Sequence, residues 1–126
     1  MGANRPLTFG PDEMGRLKEI VLNAQFQPRD GGNHHRVDGL RDKYIASVAE
    51  GVSLSRPLKV IAACGNGTAG VFAPDALRAM GAEVIEMDCE LDWTFPKYNP
   101  NPEDSEMLHA MAAAVKTHGA DLALGF

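Results

Sequence analysis

The chain has two halves with different hydrophobic patterns. In the first half, Pro11 with an acidic pair behind it predicts a helix start, and apolar residues then recur at helical spacing as far as a turn at Pro28. Glycine, Asp and Asn residues cluster in that turn. A second apolar stripe, from Val37 to Val48, predicts another helix that fades near Gly51.

The second half alternates short apolar runs with longer helical stretches. The run 58–63 is nearly unbroken and predicts a strand that is buried on both faces. A glycine-rich turn at 65–67 precedes a helix that Gly81 ends, and the next strand is predicted at 83–87. These elements form one β-α-β unit in outline.

A last helix and strand complete the predicted core. Asn101 is the expected N-cap with Pro102 at the first helical position, and the helix is expected to close at His118-Gly119. Residues 121–126 then predict a third strand. Because crossovers between parallel strands are right-handed, we predict an α/β protein with a three-layer α/β/α fold, in which two helices precede a β-α-β-α-β core with a mainly parallel sheet.

Composition places the chain among soluble globular proteins. Its 126 residues are 44% hydrophobic and 23% charged, which is enough for a core without disulfide staples. The net charge of −5 and the scattered Lys and Arg residues predict no nucleic-acid partner. No apolar run approaches the roughly 18 residues of a membrane span, and the start has no signal-peptide pattern, so we expect no membrane partner and a cytoplasmic location.

The turn after the first predicted strand carries a G-x-G-x-x-G pattern at Gly65, Gly67 and Gly70. Glu86 and Asp88 lie about 20 residues further on, where a dinucleotide-binding domain carries the acidic residue that binds the ribose. A Rossmann-like dinucleotide-binding module is therefore one hypothesis for the chain.

Pro74 weighs against that hypothesis, because its ring would crowd the Gly70 carbonyl in the helix that should bind the pyrophosphate. A structural role for the glycines is favoured: they permit a tight turn with close helix packing, while Asn66 and Thr68 satisfy the amides at the helix start. A Walker loop is not supported, because Val71 stands where that loop needs Lys.

The cysteines and histidines give no sign of a reactive or metal site. Cys64 has no basic neighbour in the sequence, which favours a buried core residue over an activated thiol. Cys89 is the second of only two cysteines, so we expect reduced thiols and no structural disulfide. Four histidines lack the spacing of a zinc site: His34, His35, His109 and His118.

The stretch 92–102 combines three aromatic residues with three prolines after a strand end. Prolines fix an extended path, so we expect an ordered loop whose aromatic residues, Trp93, Phe95 and Tyr98, are covered. Two interpretations remain open, namely packing against the loop's own domain or an interface with a neighbouring domain. An exposed aromatic loop also allows a third hypothesis, a non-enzymatic interaction domain.

Several segments resemble the α-D-phosphohexomutase family. K-V-I-A-A-C-G-N-G at 59–67, A-P at 73–74 and G-A-E-V-I at 81–85 are similar to its sequence pattern. F-P-K-Y-N-P-N-P-E at 95–103 resembles the family's F-P-x-x-x-P-N-P element, which is the more specific match. The segment 118–126 resembles the lead-in to the family's metal loop.

The resemblance implies a domain organisation and an activity. Residues 1–35 would be the end of a preceding domain with a connecting segment, and residues 36–126 the second domain, cut just before a D-G-D-x-D-R metal loop. The parent enzyme would interconvert hexose 6-phosphate and hexose 1-phosphate through a phosphoserine and a bisphosphate intermediate, with Mg²⁺ held by aspartates beyond Phe126. Its partners would be the hexose phosphate and the neighbouring domains of the same chain.

No catalytic, cofactor-binding or metal-binding residue carries over from the family onto these positions. The isolated chain is therefore expected to be an inactive fragment of an isomerase. The chain departs from the family pattern in two ways, since Ala63 stands where Asp is common and Tyr98-Asn99 stands where His is frequent. The first departure removes a carboxylate from a strand end. The preference for mannose or glucose phosphate would depend on loops outside these residues.

Overall fold

The structure is a computed structural model, and it describes residues 10–98, 101 and 103–126. The chain divides into two compact units, Met1–Arg36 and Val37–Phe126. Within the described ranges, no helix is long and apolar enough to cross a membrane. The sheet lies in the second unit.

Helix α1 (Pro11–Leu22) lies in the first unit and begins where the sequence predicts. Its Pro stands in the first turn, where a missing amide costs nothing, and the Glu13 carboxylate accepts a hydrogen bond from the Gly10 amide at 3.0 Å. None of its residues is buried, and Leu17 and Val21 on its apolar face are exposed.

Helix α2 (Leu40–Ala49) opens the second unit. It confirms the second predicted helix, although Val37 lies before its first residue. Gly39 precedes it with a φ of 69°, a backbone conformation that favours glycine. Tyr44 packs edge-to-face on Phe72, with the ring centroids 5.6 Å apart.

Three parallel strands form the sheet: β1 (Lys59–Ala63), β2 (Glu83–Met87) and β3 (Leu122–Gly125). Their spatial order is β2-β1-β3, so β1 is central. Four of the five β1 residues are buried, which confirms the strand predicted from the unbroken apolar run.

Helices cover both faces of this sheet. A 3-10 turn (Thr68–Val71) and α3 (Ala73–Ala79) connect β1 to β2, and α4 (Ser105–His118) connects β2 to β3. These connections run in opposite directions across the sheet, so right-handed crossovers place α3 and α4 on opposite faces. The predicted three-layer α/β/α fold is confirmed. Ile61 of β1 and Met107 of α4 are completely buried in its core.

The start of α4 differs from the prediction, because Asn101 is not its N-cap. Asp104 is the N-cap, and its Oδ1 accepts hydrogen bonds from the Glu106 and Met107 amides at 2.8 and 3.4 Å. A carboxylate is well suited to this position, because it also interacts favourably with the positive end of the helix dipole. Pro102 lies outside the described residues.

Candidate functional site at the carboxyl edge of the sheet

The carboxyl ends of the three strands meet at one edge of the sheet. The Cys64 amide donates to the Met87 carbonyl at 3.0 Å, and the Phe126 amide donates to the Ala63 carbonyl at 3.0 Å. In open parallel sheets, the loops at this edge build the ligand sites. Here they surround a cavity of about 260 Å³. Its lining residues are Cys64, Gly67, Thr68, Ala69, Trp93, Phe95 and Phe126.

A tight turn follows β1. The Gly67 amide donates to the Cys64 carbonyl at 2.8 Å, and the two residues between them, Gly65 and Asn66, have φ values of 51° and 60°. Two successive residues with positive φ are the mark of a type I′ turn, which selects Gly and Asn. The first part of the glycine pattern is therefore explained by the backbone of the turn.

Asn66 fastens this turn to the loop after β2. Its amide donates to the Asp88 carbonyl at 2.7 Å, and its carbonyl accepts from the Asp92 amide at 3.0 Å. Its side-chain Nδ2 donates to the Glu90 carbonyl at 2.8 Å. The buried Oδ1 has no hydrogen-bond partner among the described residues. The predicted capping role of Asn66 and Thr68 is wrong, because no side chain caps the 3-10 turn.

Gly70 has a different reason for being glycine. A Cβ atom at this position would lie 2.0 Å from the Cys89 carbonyl oxygen. Atoms cannot approach so closely, so any side chain would force the two backbones apart. This contact agrees with the structural interpretation of the glycine pattern, since the 3-10 turn packs directly on the loop after β2.

The dinucleotide hypothesis gains no support from the segment that follows the glycines. The first helical turn is 3-10, and Phe72, with φ −123° and ψ −45°, separates it from α3. Pro74 then lies in the first turn of α3, where its missing amide is tolerated. The two acidic residues of the pattern also have partners within the chain, and Arg78 donates to Glu86 at 2.7 Å.

Asp88 is the second of these acidic residues, and only 9% of its side chain is exposed. The Tyr98 hydroxyl donates to its Oδ2 at 2.9 Å, and the Lys97 ammonium pairs with its Oδ1. Burial, followed by the hydrogen bond to Asp88, raises the pKa of Tyr98 to about 12. Tyr98 also packs against the core cluster that contains Met107 and Met111.

The loop after β2 places its aromatic residues in different environments. Asp92 Oδ1 accepts hydrogen bonds from the Thr94 amide at 2.9 Å and from its hydroxyl at 2.7 Å, and these bonds lower the pKa of Asp92. Tyr98 packs on the loop's own domain, as the first interpretation expected. Trp93 is 70% exposed, so the expectation that it is covered is not met within this chain. Residues 99 and 100 lie outside the described ranges.

The two cysteines lie side by side, although the sequence carries no local pattern that predicts their contact. Both are free thiols, and their Sγ atoms are 3.4 Å apart. Cys64 is completely buried, which confirms its predicted place in the core. Burial, followed by hydrogen bonding with Cys89, raises the pKa of Cys64 to about 12. Their proximity could have been foreseen from the pairing of β1 with β2, because each cysteine follows the end of one of these strands.

No metal centre is formed by the residues that the structure describes. Among residues 10–98, 101 and 103–126, no group of three or more His, Cys, Asp and Glu side chains is placed to hold an ion. His109 and His118 are exposed on α4.

A second cavity, of about 350 Å³, lies between α2 and α3. Tyr44 and Val48 line it from α2, and Phe72 and Leu77 line it from the opposite side. Phe126 contributes to both cavities. We place the candidate site at the carboxyl edge, because the loops at that edge build the ligand sites of open parallel sheets.

These features define a class: a parallel α/β domain whose carboxyl-edge loops are fastened to each other around a small cavity. The family model described as "Phosphoglucomutase/phosphomannomutase, alpha/beta/alpha domain II" matches residues 42–126. The chain therefore belongs to the phosphoglucomutase/phosphomannomutase family, as its domain II, which confirms the resemblance to the phosphohexomutases. Nothing in the comparisons favours a dinucleotide-binding module.

Known proteins support this membership. The chain is 45% identical over 85 residues to a phosphomannomutase/phosphoglucomutase of Pseudomonas putida, covering 68% of this chain and 18% of that protein. It is 39% identical over 119 residues to a phosphoglucomutase of Neisseria gonorrhoeae, covering 94% of this chain and 26% of that protein. The chain thus spans between about a fifth and a quarter of the length of these curated relatives.

A solved structure shows the same fold. A phosphoglucomutase/phosphomannomutase family protein from Burkholderia thailandensis superposes with a TM-score of 0.74 and 29% sequence identity. The superposition covers 94% of this chain and 25% of that one.

Proposed function

We propose that the chain acts as domain II of an isomerase that interconverts hexose 6-phosphate and hexose 1-phosphate through a phosphoserine and a bisphosphate intermediate. The observation that carries the proposal is the family match over residues 42–126. The sheet order and the fold-level similarity to the Burkholderia thailandensis protein support it. The substrates would be hexose phosphates, and Mg²⁺ would bind beyond Phe126.

Within such an enzyme, the described residues would serve as a scaffold. The hydrogen bond from the Phe126 amide to the Ala63 carbonyl fixes the end of β3 against the central strand. Asn66 and Gly70 fasten the loops beside that end. A metal loop that followed Phe126 would start from a point held against the central strand, and such rigid support is what positioned ligands need.

The first unit would be the end of the preceding domain with a connecting segment. The family match begins at residue 42, and the structure divides between Arg36 and Val37. The apolar face of α1 is exposed within this chain, as expected for a helix that packs on residues of another domain. Trp93, also exposed, would contact a neighbouring domain of the same chain.

A domain exchange tests the proposal. Residues 42–126, the range of the family match, would replace the corresponding segment of the Pseudomonas putida phosphomannomutase/phosphoglucomutase, to which the chain is 45% identical over 85 residues. We expect the chimera to convert mannose 1-phosphate to mannose 6-phosphate with kcat/KM within about tenfold of the unaltered relative. The matched control is the chimera with Gly70→Leu, in which the contact with the Cys89 backbone is blocked and turnover should be lost.

A chimera that folds, with the circular dichroism and the thermal midpoint of the unaltered relative, but has no turnover would contradict the proposal. The chain alone should show no turnover in the same assay, even with added Mg²⁺ and hexose bisphosphate. Conversion by the pure chain would show that its own residues are sufficient, contrary to the scaffold role. The cytoplasmic location and the lack of a nucleic-acid partner stay predictions of the sequence.

A further inference from the structure

The two cysteine side chains face each other beside the candidate site. The Cys89 Sγ lies 3.4 Å from the Cys64 Sγ and 3.2 Å from the Ala62 carbonyl oxygen. Cys64 is completely buried. Cys89 is only partly buried. The pair therefore consists of one completely buried cysteine and one partly buried cysteine.

The backbone explains why the pair is close. Ala63 and Met87 are partners in adjacent parallel strands, and the cysteines follow them by one and two residues. Adjacent strands lie about 4.8 Å apart, so residues that follow the paired ends of β1 and β2 come close to each other. From their separation of 3.4 Å, the sulfur atoms need to approach by about 1.4 Å to reach bonding distance.

We propose that Cys64 and Cys89 form a dithiol site that hydrogen peroxide oxidises to an intramolecular disulfide, and that thiols reduce again. The proposal does not rest on the mutase function, because it uses only side chains of this chain. It differs from a structural disulfide, since the reduced pair is already well packed in the folded domain. The bond would link the end of β1 to the loop after β2.

The oxidation proceeds in two steps. First, the Cys89 thiolate attacks one peroxide oxygen, the O–O bond breaks, and the hydroxide that leaves takes up a proton to become water, so that Cys89 is a sulfenic acid. Second, Cys64 gives up its proton as its sulfur attacks the Cys89 Sγ, the S–O bond breaks, and the hydroxyl leaves as water. Two thiols and one peroxide thus give one disulfide and two waters.

Burial assigns the order of these steps. Peroxide cannot reach Cys64, which is at 0% exposure, and the raised pKa of about 12 keeps Cys64 a thiol rather than a competing thiolate. The Cys89 backbone is held against Gly70, so the sulfenic acid remains beside the Cys64 sulfur. A resolving thiol at 3.4 Å acts at a high effective concentration despite its low acidity.

Peptide mapping of the full 126-residue chain tests the proposal. The folded, reduced chain is treated with peroxide, remaining thiols are alkylated, and trypsin then cuts after Lys59, Arg78 and Lys97. Each cysteine falls in its own peptide, 60–78 or 79–97. We expect these peptides to be joined by a disulfide that a reductant splits. Two separate alkylated peptides, or a sulfinic acid at Cys89 with an alkylated Cys64, would overturn the proposal, as would disulfide-linked dimers.

Two variants separate the roles of the thiols. Cys64→Ser removes the resolving thiol, so Cys89 should give a sulfenic acid that dimedone traps and that peroxide carries on to sulfinic acid. Cys89→Ser leaves only the buried thiol, and its modification should be at least about tenfold slower. Equal rates in the two variants would overturn the assigned order and with it the proposal. Should the buried hydroxyl of Cys64→Ser unfold the chain, which circular dichroism reveals, Cys64→Ala serves instead.

Discussion

At the amino edge of the sheet, Asp121 before β3 joins Arg56 before β1, with Oδ1 and Nη2 2.6 Å apart, and Asp121 Oδ2 accepts from the Lys59 amide at 2.8 Å. At the carboxyl edge, the loops instead depart from ordinary backbone. All three non-glycine residues of positive φ in the described part of the second unit lie there: Asn66, Asp88 and Phe95. The same three strands thus carry an ion pair at one edge and strained turns at the other.

The difference shows where this domain concentrates its unusual backbone. Left-handed conformations cost free energy and persist only when their surroundings enforce them. Asn66 is enforced by three hydrogen bonds to the loop after β2, and Asp88 by Tyr98 and Lys97. The ion pair at the amino edge needs no such support, because neither Arg56 nor Asp121 has a left-handed backbone conformation. We therefore expect substitutions at the carboxyl edge to have larger effects, in the following order.

The largest effect should come from Gly70→Ala. Its Cβ would lie 2.0 Å from the Cys89 carbonyl oxygen, and backbone cannot give way as a flexible side chain can. We expect a loss of about 3 kcal/mol in the free energy of unfolding, measured by urea denaturation. The control is Gly15→Ala on α1, which has nothing within 4 Å of its Cβ and should leave the second unit unchanged. Equal stability of Gly70→Ala and the unaltered chain would show that the two loops are not in contact.

Two substitutions at Asn66 separate the cost of backbone strain from the contribution of the side-chain hydrogen bond to Glu90. Asn66→Gly keeps the left-handed backbone but removes the bond from Nδ2 to the Glu90 carbonyl, and should cost about 1 kcal/mol. Asn66→Ala removes the same bond and adds backbone strain, for a total of about 2 kcal/mol. Hydrogen exchange of the Asp92 amide, which donates to the Asn66 carbonyl, should quicken in both. If Ala and Gly cost the same, the turn is not left-handed in solution.

Tyr98→Phe tests the buried contact with Asp88. The ring stays in the core cluster, and the lost hydrogen bond of 2.9 Å should cost about 1 kcal/mol near neutral pH. Because the pKa of Tyr98 is raised to about 12 in the folded chain, its contribution is present below the usual pKa of about 10 and is lost as pH rises toward 12. Urea denaturation from pH 9 to pH 12 should therefore show a steeper loss of stability in the unaltered chain than in Tyr98→Phe, and parallel curves would contradict the assignment.

Local patterns in the sequence predict the fold well. The strand at Glu83–Met87 has the predicted limits, because an apolar run between turn residues leaves few alternatives. The start of α4 is missed, because Asn101 and Asp104 are both capping residues and only the three-dimensional path shows which one meets the free amides. The resemblance of the glycine turn and the proline-rich loop to a known family identifies the domain, whereas local periodicity gives the fold alone.

The candidate site is predicted less completely, because its contacts join distant positions. Asn66 bonds to Glu90, 24 residues away, and no local pattern indicates this partner. The close approach of Gly70 to Cys89 is of the same kind, because a glycine pattern indicates close packing but does not identify the residue that packs there. The contact between Cys64 and Cys89 depends on the register between β1 and β2, because each cysteine follows the end of one of these strands.

The smallest effect is expected at the amino edge. Hydrogen bonding from Arg56, followed by the Lys59 amide, lowers the pKa of Asp121 to about 2. A lowered pKa means that the contribution is present above the usual value of about 3.9 and is lost as pH falls toward 2. Asp121→Asn should therefore weaken the chain slightly at neutral pH and flatten its loss of stability between pH 4 and pH 2.

The partner variant makes this last test specific to the ion pair. Arg56→Ala removes the other partner of the ion pair, so it should flatten the same part of the pH profile of stability. The double variant should be little less stable than either single variant. Because the pair is exposed to solvent, salt should screen it. Raising the salt concentration should therefore reduce the difference in the free energy of unfolding between the unaltered chain and Arg56→Ala at neutral pH. Additive effects of the two substitutions would mean that Asp121 acts only through its hydrogen bond with the Lys59 amide. The amino edge would then depend on contacts between side chain and backbone, as the carboxyl edge does, and not on the ion pair.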